Sequence, residues 1–483
     1  MTTQANAIEV REWPFLVGGE FRAAGAPLEV RSPYDGSLVA TTFYANEQDI
    51  EDAIQQAQGA FAGLAAMPTY QKAEILRAMA AGVEARKEEL VRLLALEAGK
   101  PVKAGRVEVE RAIFNFRNFS EEAQRIEHEL IQLDLLPAAK GRWGMVRRVP
   151  LGPILAITPF NFPLNLTVHK IAPAIAAGST VVQKPSPKTP LTSLALAQVA
   201  QQARLPAGAL NVLCCPNERA EQLVADERFK LLTFTGSCEV GWRLKGKAGK
   251  KRVALELGGN AGVIVHSDAD LDFAAERCAQ GGFGFAGQSC ISVQRIFVHR
   301  PAFERFTAAL VERARTLHAG NPLDEKTDVG PLITSEAARR VETWVNEAVA
   351  AGAKLLTGGQ REGNIFQPTV LTNTRPEMHV NCCEIFGPVV TVEAYDSFEA
   401  ALGAVNASPY GLQAGVFTRD IRKIFQAYER LEVGGVIAND FSSFRADHMP
   451  YGGMKDSGTG REGARYAIEE MTDRKILVLN LAG

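Results

Sequence analysis

The sequence has no excess of charge of either sign. Its 483 residues include 53 Lys and Arg against 55 Asp and Glu, which gives a formal net charge of −2. Chains that bind nucleic acid or anionic membranes electrostatically usually carry a basic patch or tail. We therefore expect neither as a partner. The contents of hydrophobic residues (46%) and charged residues (22%) are typical of a soluble globular protein.

The sequence also lacks a long hydrophobic run. No stretch approaches the ~20 apolar residues of a membrane span, because Pro, Gly or Lys interrupts the longest ones. The first residues, Met1 to Ala7, do not show the basic segment followed by an apolar one that is typical of a secretory signal. These absences favour a cytoplasmic enzyme.

The cysteines do not show the pattern of a disulfide framework or of a zinc site. Their number, seven, is odd, and the adjacent pairs Cys214-Cys215 and Cys382-Cys383 do not have the spacing of zinc ligands. Only seven histidines are scattered along the chain. We expect no metal, and we expect most of these thiols to be inert core residues.

A chain of this length exceeds one hydrophobic core, which predicts two or three domains. Helical periodicity dominates residues 48–124, for example from Ala73 to Leu96, and residues 130–150 alternate like a hairpin that should dock, for example on another subunit. From 151 to 260, and again from 261 to 460, apolar strands alternate with helices. This predicts an α/β fold with doubly wound parallel sheets. A terminal strand, Lys475 to Leu479, could pair with a neighbour's hairpin.

Cys290 is the first candidate for chemistry. The residues before it include Gly284, Ala286 and Gly287, and small residues suit a crowded turn that a substrate can reach. A free cysteine with a pKa of ~8.5 is mostly protonated at pH 7, so a nucleophile needs a lowered pKa, for example from backbone N–H donors. On its own, Cys290 fits a core thiol more often than a nucleophile.

Two further polar residues lie at the ends of predicted strands. Glu256 stands between two leucines, where burial would raise its pKa and suit a general base. A strand with Glu256 facing solvent fits the pattern at least as well. Asn161 follows the strand Ile154 to Ile157 and could donate its amide N–H to a developing oxyanion. The alternative is an Asn that caps the following helix.

Seven short segments between residues 158 and 458 form a set. They are Thr158 to Pro163, Lys184 to Ser186, Phe234 to Gly241, Glu256 to Asn260, Gly287 to Cys290, Glu384 to Pro388 and Pro450 to Gly458. The third contains Gly236 and Ser237 at a strand-to-helix turn, which can face a pyrophosphate. With this set in this order, the chain resembles the NAD(P)-dependent aldehyde dehydrogenase superfamily. Its region Phe441 to Gly458 looks like that of lactaldehyde, phosphonoacetaldehyde and non-phosphorylating glyceraldehyde-3-phosphate dehydrogenases.

The resemblance implies an aldehyde dehydrogenase-like fold with three parts. A Rossmann-type parallel sheet forms the NAD(P)-binding domain, from residues 1–124 and 147–258. An α/β catalytic domain spans residues 259–464. A small β element, from residues 125–146 and 465–483, makes a homodimer or homotetramer.

The resemblance also implies a reaction. The Cys290 thiolate attacks a small-molecule aldehyde, the Asn161 side chain and the Cys290 backbone N–H hold the oxyanion, and hydride passes to the nicotinamide. Glu256 then activates the water that hydrolyses the thioester. The implied cofactor-binding residues are Thr158, Pro159, Phe160, Lys184, Ser186, Pro187, Gly236, Ser237, Leu257, Glu384 and Phe386.

Within that set, Lys184 resembles the lysine that bonds the adenosine ribose. Ser237 resembles the serine at the pyrophosphate, and Glu384 the acid at the nicotinamide ribose. Many NAD-preferring relatives have a Glu three residues after the lysine, where its carboxylate would repel a 2′-phosphate. Here that position is Pro187, followed by Lys188. This departure predicts use of both NAD and NADP.

The candidate substrate residues are Arg111, Phe162, Ser289 and Arg445. The two guanidinium groups could clamp a carboxylate, phosphonate or sulfonate, or each could make a structural ion pair. Relatives that act on phosphorylated or phosphonylated aldehydes often have Arg in place of Ser289, and the phosphonoacetaldehyde type tends to have His in place of Phe162. We therefore expect a small polar or acidic aldehyde resembling lactaldehyde. Phosphonoacetaldehyde, glyceraldehyde-3-phosphate and a semialdehyde are the alternatives.

The same residues disfavour three other functions. A CoA-acylating enzyme would not need a water-activating base such as Glu256. A non-catalytic protein on the same fold would not need Cys290 and Asn161. A thiol hydrolase without nicotinamide would leave Lys184 and Glu384 without a purpose.

Overall fold

A computed structural model of the protein describes residues 11–481. Met1 to Ala7, on which the expectation about targeting depends, lie outside the described residues, as do Ala482 and Gly483. The helices are α1 Glu47–Ala66, α2 Thr69–Ala85, α3 Lys87–Ala98, α4 Val102–Ala123, α5 Pro163–Ala177, α6 Leu191–Gln202, α7 Asn217–Ala225, α8 Cys238–Lys247, α9 Leu271–Phe283, α10 Phe303–Thr316, α11 Ser335–Ala350, α12 His379–Cys382, α13 Phe398–Asn406, α14 Ile421–Arg430 and α15 Ala464–Glu470. The strands are β1 Arg11–Glu12, β2 Phe15–Val17, β3 Glu20–Arg22, β4 Ala26–Arg31, β5 Leu38–Tyr44, β6 Glu129–Gln132, β7 Arg142–Pro150, β8 Ile154–Ile157, β9 Val181–Lys184, β10 Leu210–Val212, β11 Leu231–Thr235, β12 Arg252–Glu256, β13 Ala261–Val265, β14 Val293–His299, β15 Lys354–Thr357, β16 Arg361–Glu362, β17 Ile365–Phe366, β18 Thr369–Thr372, β19 Val389–Tyr395, β20 Tyr410–Gly411, β21 Gln413–Phe417, β22 Gly435–Ala438, β23 Met454–Lys455, β24 Gly458–Thr459 and β25 Thr472–Asn480.

The first sheet has eight strands in the order β24-β12-β11-β8-β9-β10-β2-β3. The five strands from β12 to β10 in this order are parallel. All residues of β8 and β9 are buried, as expected for parallel strands covered by helices on both faces. The chain builds β8, β9 and β10 in one direction and then adds β11 and β12 on the other side of β8. The crevice beyond the carboxyl ends of β8 and β11 is therefore a topological switch point, where ligands bind in such sheets.

The second sheet has seven strands in the order β15-β18-β19-β14-β13-β21-β22. All neighbours are parallel except the edge strand β15. Three of the segments singled out in the sequence end just before strands of this sheet: Gly258 to Asn260 before β13, Cys290 before β14, and Glu384 to Pro388 before β19. The amino edge of the second sheet thus meets the carboxyl edge of the first, and the two edges bring the predicted site residues together.

The terminal strand β25 pairs with β7 of its own chain, from Thr472↔Pro150 to Asn480↔Arg142. The strand for which the sequence suggested pairing with a neighbour's hairpin thus pairs with the hairpin of its own chain. Helix α15 packs on α5, and the carbonyl of Met471, the residue after α15, accepts a hydrogen bond from the Leu151 amide at 3.2 Å. Because Leu151 follows β7 and Met471 precedes β25, this contact places the start of β25 beside the end of β7. The two strands can therefore pair within the chain.

The helical segment Ala73 to Leu96 is interrupted. Helix α2 ends at Ala85 and α3 begins at Lys87, with Arg86 between them at φ −107° and ψ 17°. The Arg86 guanidinium bonds Glu89 and also donates to the Ala195 carbonyl of α6 at 3.2 Å. The apolar period continues across such a short break, so the pattern alone predicts one helix where there are two.

Candidate active site

One cavity of about 1070 Å³ lies between the two sheet edges. Its wall includes Cys290, Glu256 and Asn161, which come from segments far apart in the sequence. The wall also contains every predicted cofactor-binding residue, namely Thr158, Pro159, Phe160, Lys184, Ser186, Pro187, Gly236, Ser237, Leu257, Glu384 and Phe386, and the four substrate candidates Arg111, Phe162, Ser289 and Arg445. The cavity is at the upper end of the volumes usual for small-molecule sites.

Cys290 follows a left-handed turn. Phe285, Ala286 and Gly287 have φ angles of 49°, 54° and 68°, a backbone region that costs roughly 1–3 kcal/mol for a residue with a Cβ. A Cβ on Gly287 would overlap the Gly387 carbonyl, so this position requires glycine. Strain of this kind persists where the surroundings fix it, and it often marks a functional site.

The Cys290 sulfur is half-buried and lies 3.1 Å from the Tyr451 hydroxyl. Burial raises the pKa of the Cys290 thiol to about 12, while the Tyr451 hydrogen bond and the Arg445 charge act in the opposite direction. The thiol therefore needs these neighbours, or a ligand, to form the thiolate that attacks carbon.

Asn161 does not cap α5. The N-cap position belongs to Phe162, and the Asn161 amide instead donates from Nδ2 to the Gln288 carbonyl at 3.0 Å. Asn161 is buried, and this bond holds its N–H group two residues before Cys290 in the chain. The capping alternative is therefore wrong, and the amide is positioned beside the nucleophile candidate.

Glu256 ends β12 and is only 6% exposed, so the solvent-facing alternative is also wrong. Its Oε2 is buried and has no hydrogen-bond partner among residues 11–481. Burial, with the Glu462 carboxylate nearby, raises the pKa of Glu256 well above its ordinary value, although Arg445 and Lys170 oppose this. A carboxyl group with a raised pKa and an unpartnered oxygen is suited to accept a proton from water.

The far end of the cavity is a groove at the carboxyl edge of the first sheet. Lys184 ends β9, and its ammonium group lies 3.4 Å from the Asn217 amide oxygen. Ser237 is exposed at the N-cap position of α8, and its side chain makes no capping hydrogen bond. A helix N-terminus beside a lysine is a favourable place for phosphate groups. Pro187 and Lys188 lie at the rim.

Between the groove and Cys290 stands Glu384. Its Oε1 accepts a hydrogen bond from the Gly259 amide at 2.9 Å, and burial raises its pKa to about 7. A Cβ on Gly258 would overlap the Glu384 carboxylate, so glycine is needed there. Phe386 packs edge-to-face on Phe160, with ring centroids 5.8 Å apart.

At the other end of the cavity, both candidate arginines are paired with carboxylates. Arg111 donates from Nε and Nη2 to Asp447, at 2.9 and 2.6 Å. Arg445 donates to Glu462 at 2.8 Å, and its own contact with Asp447 is longer, at 3.8 Å. The predicted ion-pair alternative is therefore present, but the Arg445 Nε stays buried without a hydrogen bond to any residue from 11 to 481.

Phe162 and Phe285 line the same end and pack edge-to-face at 5.9 Å. The Lys100 ammonium lies 3.7 Å from the Phe162 ring centroid and pairs with Glu108. Glu108 also accepts hydrogen bonds from the Leu164 and Asn165 amides, which open α5. A buried ion pair therefore anchors the helix that follows Asn161.

Comparison with known proteins decides the family. The chain matches the aldehyde dehydrogenase family over residues 21–477. It is 44% identical over 474 residues to 3-sulfolactaldehyde dehydrogenase of Priestia aryabhattai, covering 98% of this chain and 99% of that protein. The chain belongs to the aldehyde dehydrogenase family.

Two solved structures agree. Aldehyde dehydrogenase 21 from Physcomitrella patens, in complex with the reaction product succinate, has a TM-score of 0.97 at 43% identity. The match covers 99% of this chain and 100% of that chain. Glyceraldehyde-3-phosphate dehydrogenase from Methanocaldococcus jannaschii, complexed with NADP, has a TM-score of 0.91 at 40% identity, with coverages of 95% and 99%. The predicted resemblance and the predicted aldehyde dehydrogenase-like α/β fold are confirmed. The protein is an oxidoreductase that oxidises aldehydes.

Several residues of this aldehyde dehydrogenase's cavity were not singled out in the sequence. Tyr451 and Glu462 line it, and the buried Lys170 lies 3.6 Å from Glu462. Tyr451 is part of a recognised segment, Pro450 to Gly458, but nothing in that segment indicates a contact with Cys290. Tyr451 contacts Cys290 across 161 positions, and Lys170 and Glu462 are still farther apart, so no local pattern displays these contacts.

All seven cysteines of the enzyme are free. Among residues 11–481, no three His, Cys, Asp or Glu side chains are grouped so that they could hold a metal ion. In the same part of the chain, no helix combines the length and the apolar character needed to cross a membrane.

Proposed function

We propose that this enzyme oxidises a small aldehyde bearing one acidic group to the corresponding carboxylic acid, with Cys290 as the nucleophile. The observation that carries the proposal is the convergence of three groups on one cavity: the Cys290 thiol, the Asn161 amide and the unpartnered Glu256 carboxyl oxygen. A nucleophile, an oxyanion donor and a base are the parts that covalent acyl chemistry requires.

The chain's own residues supply most of the reaction. The Cys290 sulfur bonds to the aldehyde carbon, and the Asn161 Nδ2 and the Cys290 backbone N–H donate to the oxygen that becomes negative. When bound, the nicotinamide ring supplies the acceptor for the hydride that leaves this carbon. Glu256 then takes a proton from the water that attacks the resulting thioester, and the acid is released from the sulfur.

The groove fits a dinucleotide. The exposed N-terminus of the ten-residue helix α8, at Ser237, and the Lys184 ammonium are suited to the phosphates and a ribose. Glu384 offers a carboxylate to a second ribose hydroxyl, on the side toward Cys290. We assign the other lining residues named above to the same cofactor.

Both NAD and NADP should be used. Pro187 contributes no charge at the rim, and Lys188, which is exposed, brings a positive one. A cation at this position favours a 2′-phosphate. The M. jannaschii relative, which was solved with NADP, supports this proposal.

An acidic substrate is supported by the two arginines. Their carboxylate partners hold the guanidinium groups in place but use only some of the donors, since the Asp447 pair leaves out the Arg111 Nη1. The contacts of Arg445 with Glu462, His169 and Asp447 use its Nη2 and Nε and leave out its Nη1. The P. patens relative contains succinate and the P. aryabhattai relative acts on 3-sulfolactaldehyde, so a carboxylate or a sulfonate is the favoured group. Ser289, in place of an arginine, disfavours a phosphate.

We also propose that residues 125–146 and 465–483 form an oligomerisation element, in a homodimer or homotetramer. The three-stranded sheet β25-β7-β6 exposes apolar side chains that a second subunit would cover. They are Leu130, Trp143, Met145, Ile476, Leu477, Val478 and Leu479. The division into a cofactor domain of residues 1–124 and 147–258 and a catalytic domain of residues 259–464 accompanies this proposal.

The test is a panel of aldehydes with the full-length enzyme and Cys290→Ser. NAD(P)H formation should be fastest with carboxylated or sulfonated aldehydes and independent of added CoA. Cys290→Ser should lose at least a thousandfold in rate, because a serine hydroxyl with no adjacent base is a far weaker nucleophile. Retained turnover in Cys290→Ser would overturn the mechanism, and a preference for neutral aldehydes would overturn the substrate class.

A further inference from the structure

The Tyr451 hydroxyl is the only side-chain hydrogen-bond partner of the Cys290 sulfur within residues 11–481, at 3.1 Å. Tyr451 is 3% exposed and packs with Ile291 and Leu412 in a small apolar cluster that Cys290 touches. A phenol enclosed in this way has little room to turn elsewhere. The contact is therefore a fixed feature of the site.

A cation lies on the face of the same ring. The Arg445 guanidinium carbon is 3.8 Å from the Tyr451 ring centroid, and Glu462 holds that guanidinium through a bond of 2.8 Å. Tyr451 and Glu462 are themselves tied by two backbone hydrogen bonds, from the Tyr451 N to the Glu462 O at 3.1 Å and from the Glu462 N to the Tyr451 O at 2.7 Å. These bonds hold the ring and the carboxylate side by side, and the carboxylate in turn holds the cation over the ring.

The chemistry of this arrangement favours one form of the sulfur. A thiol can donate to the phenol or accept from it, but a thiolate can only accept. Charge-assisted hydrogen bonds are roughly twice as strong as neutral ones, so the Tyr451 hydroxyl stabilises the thiolate more than the thiol. A cation over the ring face draws electron density from the phenol and makes its O–H group a better donor. Both effects oppose the burial that disfavours the thiolate.

We propose that Tyr451 is a catalytic residue that donates its hydroxyl proton in a hydrogen bond to the Cys290 thiolate, and that Arg445 is a positioning residue that strengthens this donor through the ring. The proposal rests on the proposed function of Cys290 as the nucleophile. The phenol keeps its proton throughout. The thiol proton leaves to solvent before the sulfur bonds to carbon.

The test reads the thiol directly, without aldehyde or cofactor. Full-length enzyme is treated with iodoacetamide between pH 6 and pH 10, and alkylation is followed at the Cys290 peptide by mass spectrometry, so that the exposed Cys382 does not interfere. Tyr451→Phe keeps the ring and the Arg445 contact and removes only the hydroxyl. We expect Cys290 alkylation at pH 7 to slow about tenfold, the size of one lost charge-assisted bond.

Tyr395→Phe is the matched control. It removes a hydroxyl that is also buried and hydrogen-bonded, to His266 at 2.8 Å, but lies outside the cavity. Its alkylation rate should match that of the unaltered enzyme. A Tyr451→Phe rate within twofold of the unaltered enzyme across the pH range would overturn the role of Tyr451.

Arg445→Met, alone and combined with Tyr451→Phe, tests the second half of the proposal. Loss of the charge should slow alkylation about fivefold when the hydroxyl is present and less than twofold when it is absent. Equal slowing in both backgrounds would overturn the route through Tyr451. If Arg445→Met does not fold, Arg445→Lys takes its place, since it keeps a charge near Glu462 but loses the flat group that stacks on the ring.

This experiment is separate from the test of the proposed function. Unchanged alkylation in Tyr451→Phe would remove the role of Tyr451, while loss of turnover in Cys290→Ser would still support Cys290 as nucleophile. Retained turnover in Cys290→Ser would remove the proposed function whatever the alkylation rates.

Discussion

The two ends of the cavity hold their charges differently. At the aldehyde end, Arg445 and Glu462 expose only 7% and 8% of their side chains and are bonded to each other. At the cofactor end, Lys188 is exposed, and Arg243 pairs with Glu221 at 3.3 Å with half of its side chain in solvent. The charged groups named at the aldehyde end form a buried network, whereas those named at the cofactor end lie at the protein surface.

This difference sets the size of the effects that each end can produce. A charge pair in a low-dielectric interior interacts strongly, and removing one partner leaves the other uncompensated. An exposed pair is weakened by water and salt and is typically worth less than about 1 kcal/mol. Substitutions at the aldehyde end should therefore change rates by large factors, and those at the cofactor end should shift preference modestly.

The largest effect in this comparison is expected from Glu256→Gln. Loss of the base should slow thioester hydrolysis about a thousandfold, within the range usual for general base catalysis. A first turnover should still release about one NAD(P)H per site, since the base acts on water after the hydride has left. Stopped-flow absorbance and intact-protein mass spectrometry would detect the burst and the acylated Cys290.

Glu256 also predicts how kcat depends on pH. The base acts when unprotonated, and burial beside Glu462 raises the pKa of Glu256, so kcat should rise with pH through a value above the ordinary carboxyl range. Glu256→Gln should lack this limb. Glu393→Gln, at a half-buried carboxyl whose pKa is also raised by burial but which bonds Thr374 outside the cavity, should keep it. A limb that survives in Glu256→Gln would assign the base elsewhere.

The next largest effect concerns Asn161. Asn161→Ala removes one donor to the oxyanion and should lower kcat about a hundredfold or more with little change in KM, since the bond matters most in the transition state. Asn406→Ala removes side-chain hydrogen bonds outside the cavity, to the Arg430 carbonyl and from the Glu432 amide. It should leave kcat within about twofold. If Asn161→Ala changed only KM and left kcat unaltered, the role of its amide as an oxyanion donor would be contradicted.

The sequence indicates individual residues of the buried aldehyde end but not the contacts between them. Small and apolar neighbours make Cys290 and Glu256 candidates, and the resemblance to aldehyde dehydrogenases selects them. The alternation of buried strands with helices is also a local pattern, and it predicts parallel sheets. The bond from Cys290 to Tyr451 joins residues 161 positions apart, and Arg111 reaches Asp447 across 336 positions. Such contacts depend on strand order and on how the two sheets meet, and a single sequence does not encode either in a readable pattern.

A smaller effect is expected for the substrate clamp. Arg445→Ala should raise KM about tenfold or more for carboxylated and sulfonated aldehydes, the size of one lost hydrogen bond to a charged group. Arg445 also acts on the thiol, so the informative quantity is the ratio of kcat/KM for an acidic aldehyde to that for a neutral one of equal length. Arg111→Ala should lower this ratio as well. Equal losses for acidic and neutral aldehydes would leave both arginines as structural ion-pair residues.

The smallest effect belongs to the exposed end. Pro187→Glu places a carboxylate where a 2′-phosphate is expected and should raise KM for NADP about fivefold, with KM for NAD within about twofold. Because Pro187 is half-buried and Lys188 is exposed, salt should screen the repulsion, and the difference should shrink between 0.05 M and about 0.5 M salt. Lys188→Ala should act in the same direction but more weakly, since it removes an attraction without adding repulsion. A several-hundredfold preference for NAD in the unaltered enzyme would contradict dual use, and a salt-independent effect would mean that this end is as buried as the other.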